Sequence, residues 1–116
     1  MGGEYMEMEL KKRGNKLIVK MSGELDHHSS EYFRDVIDNE LNKGIFDELI
    51  LDMSQLQFMD SSGVGVILGR YKKVSSLNGQ VIVSGMNSQV TKIAKFSGLL
   101  KLVKCYDSLS EVDEKL

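Results

Sequence analysis

Residues 58–71 read FMDSSGVGVILGRY, and this stretch decides how the rest of the chain is interpreted. Asp60, Ser61 and Ser62 are residue types that begin helices. The apolar residues that follow have the spacing of one helix face, at Val64, Ile67, Leu68 and Tyr71. We therefore predict a helix from about Ser61 to Ser76. The first N–H groups of a helix lack partners and its dipole is positive there, so the two hydroxyls lie where an anion is favoured.

Hydrophobic periodicity and turn residues predict the other elements. In chain order they are a half-buried edge strand Tyr5–Lys12, a turn at Gly14-Asn15, a more central strand Lys16–Met21, a helix from about Tyr32 to Asn42, a buried strand Glu48–Asp52, a loop Met53–Met59, a strand Gln80–Ser84, a helix that follows Ser88 and closes at Gly98, a strand Lys101–Cys105 and a short helix after Ser108. Asp26, Ser29 and Ser30 compete as the cap of the first helix.

The predicted order ββαβαβαβα is that of a single α/β domain over residues 5–116, with residues 1–4 as a disordered lead-in. Alternating strands and helices predict a mostly parallel sheet with right-handed crossovers and an antiparallel first strand. The pattern leaves open whether the helices cover one face of the sheet or both.

Composition limits the classes of function. The chain has 116 residues, 15 basic and 17 acidic, and a formal net charge of −2, so nucleic acid is not expected as its main partner. No apolar run reaches the roughly 18 residues of a membrane span, and no signal peptide is recognisable, which predicts a cytoplasmic protein that does not bind membranes. The single cysteine, Cys105, lies in an apolar run and is expected to be a buried, reduced thiol.

The glycines of the decisive stretch suggest a nucleotide site but do not complete one. Gly63 and Gly65 match the start of the dinucleotide fingerprint, whereas the third position is Leu68, and Gly69 comes one residue late. We interpret Gly65 and Gly69 as residues that allow close packing against the sheet, and we expect no cofactor. A nucleotide-binding module stays an open alternative.

Catalytic and metal sites are the next alternatives. Ser61 and Ser62 lack the glycine spacing of a nucleophile elbow, although His27 or His28 could supply a base from a neighbouring loop. Glu24 and Asp26 beside these histidines offer metal ligands, but the sequence has no cysteine partners for them and no second segment that contains histidine. We therefore expect neither a catalytic residue nor a bound metal.

A reversible phosphate on serine is the interpretation that fits the helix start best. Phosphorylation adds roughly −1.5 to −2 charges, which the positive end of a helix tolerates. The fold would survive the modification, and its effect would be felt by a partner docked over the loop. The alternative is that Ser61 serves only as a helix cap.

The sequence also resembles the STAS-domain family of bacterial anti-sigma factor antagonists, and within it most resembles the antagonists of the sporulation anti-sigma F factor. The resemblance rests on residues 23–28 (GELDHH) and 58–72 (FMDSSGVGVILGRYK), with weaker support from residues 96–99 (FSGL). It implies a STAS-like fold, a four- to five-stranded sheet packed on helices, and no enzyme activity.

The same resemblance implies a mechanism and a set of site residues. The partner would be an anti-sigma factor that is also a serine kinase, bound to ATP or ADP. The unphosphorylated antagonist would bind it and release the sigma factor, phosphorylation of Ser61 would end binding, and a serine phosphatase would restore it. The implied partner-binding residues are Glu24, Asp26, His27, His28, Asp60, Ser61, Ser62, Gly63 and Gly65. Asp26 would contact a basic residue of the kinase, and Gly63 and Gly65 would let its loop approach.

Three hypotheses follow: a phosphorylation-switched antagonist, a nucleotide-binding module, and a regulator of the same fold in a stress-response or transport pathway.

Overall fold

The computed structural model describes residues 6–115 and contains the predicted strands and helices in the predicted order. The elements are β1 Met6–Arg13, β2 Lys16–Leu25, α1 Ser30–Leu41, β3 Glu48–Met59, α2 Ser61–Ser75, β4 Gln80–Ser84, α3 Ser88–Phe96, β5 Lys104–Tyr106 and α4 Leu109–Lys115. A single 3₁₀ turn, Leu99–Lys101, precedes β5. The predicted lead-in, residues 1–4, and Tyr5 lie outside the described residues.

The five strands form one sheet in the order β1-β2-β3-β4-β5. β1 pairs antiparallel with β2, and β2 to β5 run parallel, with Ile18, Ile50 and Ile82 side by side across the central strands. The α/β fold class and the antiparallel first strand are confirmed. Because the parallel strands lie side by side in chain order, crossovers of one hand place α1, α2 and α3 on the same face.

The main core lies between that face and these three helices. Strand residues such as Val19, Leu51 and Val83 pack there against apolar residues of the helices, all of them buried. The helix residues are Phe33 and Ile37 of α1, Val64, Ile67 and Val74 of α2, and Val90 and Ala94 of α3.

The opposite face of the sheet carries a second, smaller core. Ile18, Ile50 and Ile82 pack there against Val112 of α4, which is fully buried. The predicted capping residue Ser108 accepts a hydrogen bond from the Glu111 N–H at 3.2 Å and so begins this helix. The helices therefore cover both faces, three on one and α4 on the other.

The prediction of a loop at Met53–Met59 is wrong, because β3 continues to Met59. β2 also extends beyond Met21, and the two strands pair through Leu25 and Met59 with two irregularities in their register. In this segment every third residue is buried, namely Met53, Leu56 and Met59. The sequence therefore lacks the alternation of apolar and polar residues by which a strand is predicted.

The end of the chain also differs from the prediction. Part of the predicted strand Lys101–Cys105 is a 3₁₀ turn, and β5 begins only at Lys104. Cys105 is exposed and not buried, because β5 is a short strand at the edge of the sheet. No helix within residues 6–115 has the length and apolarity needed to cross a membrane.

Candidate functional site

Asp60, and neither serine, caps α2. Its Oδ1 accepts hydrogen bonds from the backbone N–H groups of Ser62 at 2.9 Å and Gly63 at 3.2 Å. Its backbone is extended, and its own N–H donates to the carbonyl of Leu25 at 3.3 Å. One side chain thus satisfies two of the unpaired donors at the helix start and ties that start to the end of β2.

Ser61 is the first residue of α2 and is exposed. Its hydroxyl makes no hydrogen bond to any residue between 6 and 115, and Ser62, whose hydroxyl likewise has no partner there, is half-buried. The alternative in which Ser61 is only a helix cap is wrong, since Asp60 fills that role. The Ser61 oxygen therefore lies at the surface, beside the positive end of the helix dipole.

Gly63 is the glycine that allows a close approach. It is buried, and a Cβ added to it would lie 2.5 Å from the Leu25 carbonyl oxygen and 2.7 Å from Met59 Cγ. A Cβ added to Gly65 or Gly69 would meet no atom within 4 Å among the residues described. The interpretation of Gly65 and Gly69 as packing glycines is wrong, because they do not face the sheet. Gly65 is exposed instead, one helical turn after Ser61, and this part of the helix surface therefore carries no side chain.

The loop after β2 is organised by Asp26. Its Oδ1 accepts from the backbone N–H groups of His28 at 2.9 Å and Ser29 at 3.1 Å, which makes a tight turn. Ser29 occupies the cap position of α1, but its hydroxyl donates to the carbonyl of Glu24 at 2.6 Å and gives no side-chain cap to the helix. Ser30 Oγ donates to the Asp26 carbonyl. The three competing residues thus all serve this turn.

The two loops meet because they follow neighbouring parallel strands. Glu24 pairs with Phe58, and Leu25 pairs with Met59, one residue before Asp60. The predicted partner-binding residues therefore come together at the carboxyl ends of β2 and β3. Glu24, His27 and His28 are exposed, Asp26 and Asp60 are half-buried, and the two imidazole centroids lie 5.8 Å apart. Of the predicted set only Gly63 is buried, so its role is internal.

Two residues that were not predicted hold this site in place. Asn87 caps α3 by accepting from the Val90 N–H at 2.9 Å, and its amide nitrogen donates to the carbonyls of Leu56 and Gln57. The Gln89 amide accepts from the Met59 N–H and donates to the Met59 carbonyl, both at 3.1 Å. These amides occupy the side of β3 that β4 leaves unpaired beyond Asp52. The cap signal at Asn87 is recognisable in sequence, whereas nothing local marks Gln89.

The same geometry bears on the catalytic and metal alternatives. The Ser61 hydroxyl is not hydrogen bonded to a base anywhere in residues 6–115. Within that part of the chain, no group of three or more His, Cys, Asp or Glu side chains has an arrangement that could hold a metal ion. The site consists of an exposed hydroxyl at a helix start, next to the capping carboxylate of Asp60, with Glu24 and Asp26 at the end of the neighbouring strand.

Comparison with known proteins places this architecture in a family. The family model described as the STAS domain matches residues 7–112. The anti-sigma F factor antagonist of Paenibacillus polymyxa is 40% identical over 103 residues, which are 89% of this chain and 88% of that protein.

Two solved structures have the same fold. The anti-sigma factor antagonist SpoIIAA in its unphosphorylated form is 30% identical with a TM-score of 0.82, over 94% of this chain and 95% of that one. The Bacillus cell fate determinant SpoIIAA in the phosphorylated form is 29% identical with a TM-score of 0.73, over 95% and 100% of the two chains. The chain therefore belongs to the STAS-domain family, in the group that contains the anti-sigma factor antagonists.

Proposed function

We propose that this protein is an anti-sigma factor antagonist whose binding to an anti-sigma factor serine kinase is switched off by phosphorylation of Ser61. The observation that carries the proposal is the division of roles at the start of α2. Asp60 caps the helix, so the Ser61 hydroxyl is exposed and unused within the described chain. A kinase can modify that oxygen without removing a hydrogen bond on which the fold depends.

A phosphate on Ser61 would leave the helix intact. The helix dipole stabilises an anion in the first turn by about 0.3–1 kcal/mol, and repulsion from the adjacent Asp60 carboxylate opposes it. Asp60 already accepts the N–H groups of Ser62 and Gly63, so the phosphate would extend into solvent and not fold back onto the helix. The modification is therefore expected to change the surface and not the stability.

Before phosphorylation the negative charge of this surface would attract a basic partner. A phosphate on Ser61 would add further negative charge and a bulky group to the same surface. Glu24, Asp26 and Asp60 give this end of the sheet three carboxylates before modification. A kinase that places one basic residue near Asp26 and a loop over exposed Gly65 would meet roughly −1.5 to −2 additional charges at Ser61. Like-charge repulsion and the loss of close contact would then release the partner.

The remaining steps of the proposal follow from this switch. The unphosphorylated protein binds the kinase in its ATP- or ADP-bound form and displaces a sporulation sigma factor, and a serine phosphatase regenerates it from the phosphorylated form. The names of the relatives as anti-sigma F factor antagonists, and the existence of SpoIIAA in both forms, support this. We place the protein in the cytoplasm, without enzyme activity, nucleic-acid binding or membrane binding of its own.

The acceptor site is tested with the cognate anti-sigma factor kinase and ATP. The parent chain should gain one phosphate, mapped by mass spectrometry to Ser61, and Ser61→Ala should gain none. Ser76→Ala, at the far, exposed end of α2, is the matched control and should be phosphorylated like the parent. Equal labelling of the parent and Ser61→Ala would refute the assignment.

The switch itself is tested by binding. Ser61→Asp should bind the kinase at least about tenfold more weakly, equivalent to about 1.4 kcal/mol, while its far-UV circular dichroism stays that of the parent. Ser76→Asp adds the same charge at the far, exposed end of α2 and should bind normally. Unchanged affinity of Ser61→Asp would show that charge at this position does not control the partner.

The two alternatives predict different results. The Asp60 carboxylate occupies two N–H groups that a nucleotide phosphate would need, which disfavours a nucleotide-binding module. Tight binding of ATP or GTP by the isolated chain in titration calorimetry would favour that module. Release of a stress-response sigma factor, and not a sporulation one, from its kinase complex would favour a stress-pathway regulator.

A further inference from the structure

The outer edge of β1 is a second surface, on the far side of β2 from Ser61. β1 spans Met6–Arg13 at one end of the sheet, and within residues 6–115 no strand pairs with its outer side. A strand of this length with unpaired backbone groups is a template for another chain, and proteins usually protect such an edge with charges that repel.

The turn that follows β1 determines which backbone groups face outward. Gly14 has φ +59° at the first position of a two-residue turn, and Arg13 lies opposite Lys16 across it. Residues that flank a two-residue turn exchange hydrogen bonds with each other, and this alternates along the strand. The odd-numbered residues of β1 therefore direct their N–H and C=O groups to β2, and Met8, Leu10 and Lys12 direct theirs outward.

The charges of β1 are complementary to a second copy of the same strand. Glu7, Glu9, Lys11 and Arg13 share one face, with the two acidic residues first and the two basic residues last. If two copies pair antiparallel about a two-fold axis at Leu10, Glu9 lies opposite Lys11 of the other copy and Glu7 lies opposite Arg13. Moving the axis to residue 9 or residue 11 would instead place Glu9 against Glu9 or Lys11 against Lys11.

The other face of the strand adds apolar contact at the same axis. Leu10 is half-buried and lines an open groove of about 480 Å³ between β1 and α1, together with Asp35, Val36, Asn39 and Glu40 of the helix. A two-fold axis at Leu10 would bring the two Leu10 side chains together at the mouths of both grooves. The outward-facing backbone groups permit this pairing, and the contact between the two Leu10 side chains is compatible with it. The order of the charges favours it over the registers centred on residue 9 or residue 11.

We propose that β1 is a dimerisation edge, to which a second copy of this chain adds its own β1 antiparallel, with Leu10 at the two-fold axis. The two five-stranded sheets then become one continuous sheet, an isologous arrangement. Charged side chains normally protect a sheet edge by repelling another strand. Because the charges of β1 change from negative to positive in the middle of the strand, they would attract a second, antiparallel copy of it. Ser61 takes no part, so this proposal and the proposed function stand or fall separately.

Sedimentation velocity of the full chain over a range of concentrations tests the proposal. The parent should dimerise, and more weakly as sodium chloride is raised. Glu9→Lys and Lys11→Glu should each weaken dimerisation about tenfold or more, because each places two pairs of like charges across the axis. An equimolar mixture of the two variants should dimerise again, since Lys at residue 9 then faces Glu at residue 11, and residue 11 of the first variant faces Glu9 of the second.

The matched control is the double variant Glu9→Lys with Lys11→Glu, which restores opposite charges and should dimerise like the parent. All variants should keep the circular dichroism of the parent, because both side chains are exposed and make no ion pair with any other residue in 6–115. A parent chain that stays monomeric at every concentration, or a dimer that the single variants leave unchanged, would overturn the proposal.

Discussion

Replacing Gly63 with Ala tests how the phosphoacceptor helix is joined to the rest of the site. The added methyl would lie 2.5 Å from the Leu25 carbonyl oxygen, 2.7 Å from Met59 Cγ and 2.9 Å from Leu25 Cγ. The Met59 side chain can move, but the carbonyl belongs to the backbone of β2 and also accepts the Asp60 N–H. The helix start must therefore shift away from β2.

The expected cost is the sum of opposing contributions. Alanine gains up to about 1 kcal/mol over glycine in a helix. Overpacking costs about 1–3 kcal/mol, and weakening of the bond from the Asp60 N–H to Leu25 costs a further 0.5–1.5 kcal/mol or so. We expect Gly63→Ala to lower the free energy of unfolding by about 1–3 kcal/mol. Gly65→Ala has the same propensity gain without contact, so it should raise that free energy by up to about 1 kcal/mol.

Urea denaturation followed by far-UV circular dichroism measures both variants against the parent. The two variants should differ by about 1–4 kcal/mol, and with a typical dependence of about 1–3 kcal/mol per molar urea their midpoints should lie about 0.3–4 M apart, with the parent between them. The reasoning fails if Gly63→Ala is as stable as Gly65→Ala, because the close approach to Leu25 would then carry no energetic consequence.

Four further predictions test other contacts of the structure. Asp60→Ala should lower the free energy of unfolding by about 1 kcal/mol in urea, because the cap is lost, and Asp60→Asn should retain most of it. Asp26→Asn should keep the turn and the melting temperature of the parent but weaken kinase binding, whereas Asp26→Ala should lower the melting temperature and weaken kinase binding. If the two variants have the same melting temperature and the same affinity for the kinase, the charge of Asp26 has no role in docking apart from its role in the turn. Gln89→Leu should accelerate amide exchange at Met59 and cost about 1–3 kcal/mol, and an unchanged exchange rate would show that the amide pairing is dispensable. Partial desolvation of the thiol, aided by nearby carboxylates, raises the pKa of Cys105 above the ordinary value for a cysteine, so iodoacetamide should react more slowly at pH 8 than with a free peptide thiol, and the rate should level off at a higher pH than it does for the free thiol.

The elements predicted well are those whose signals are local. The strand Gln80–Ser84 has the predicted bounds, and α2 ends at Ser75, within one residue of the prediction. A buried parallel strand needs a continuous apolar run, whereas a surface helix needs an apolar repeat of 3.6 residues. Both patterns can be recognised in the sequence without knowing which elements pack beside them.

The wrong predictions concern contacts between segments distant in sequence. The sequence predicts a loop at Met53–Met59 because the irregular pairing of this segment with β2 breaks its alternation of buried and exposed residues. The sequence suggests a packing role for Gly65, whereas it is Gly63 that packs closely against β2, since the face that a helix turns toward the sheet depends on where the helix docks. The burial predicted for Cys105 failed because β5 has a strand on one side only.

The decisive stretch, residues 58–71, shows the same division. Its sequence alone determined that a helix begins at an Asp-Ser-Ser run, because capping and helical periodicity are properties of neighbouring residues. That Ser61 is the acceptor is what its resemblance to the STAS-domain antagonists implies. Only the tertiary structure decided that Asp60 is the cap, that Gly63 is pressed against Leu25, and that Gln89 holds Met59 in place. Those relations depend on the pairing of β2 with β3 and on the docking of α3, which bring together residues up to 38 positions apart, as in the Leu25–Gly63 contact.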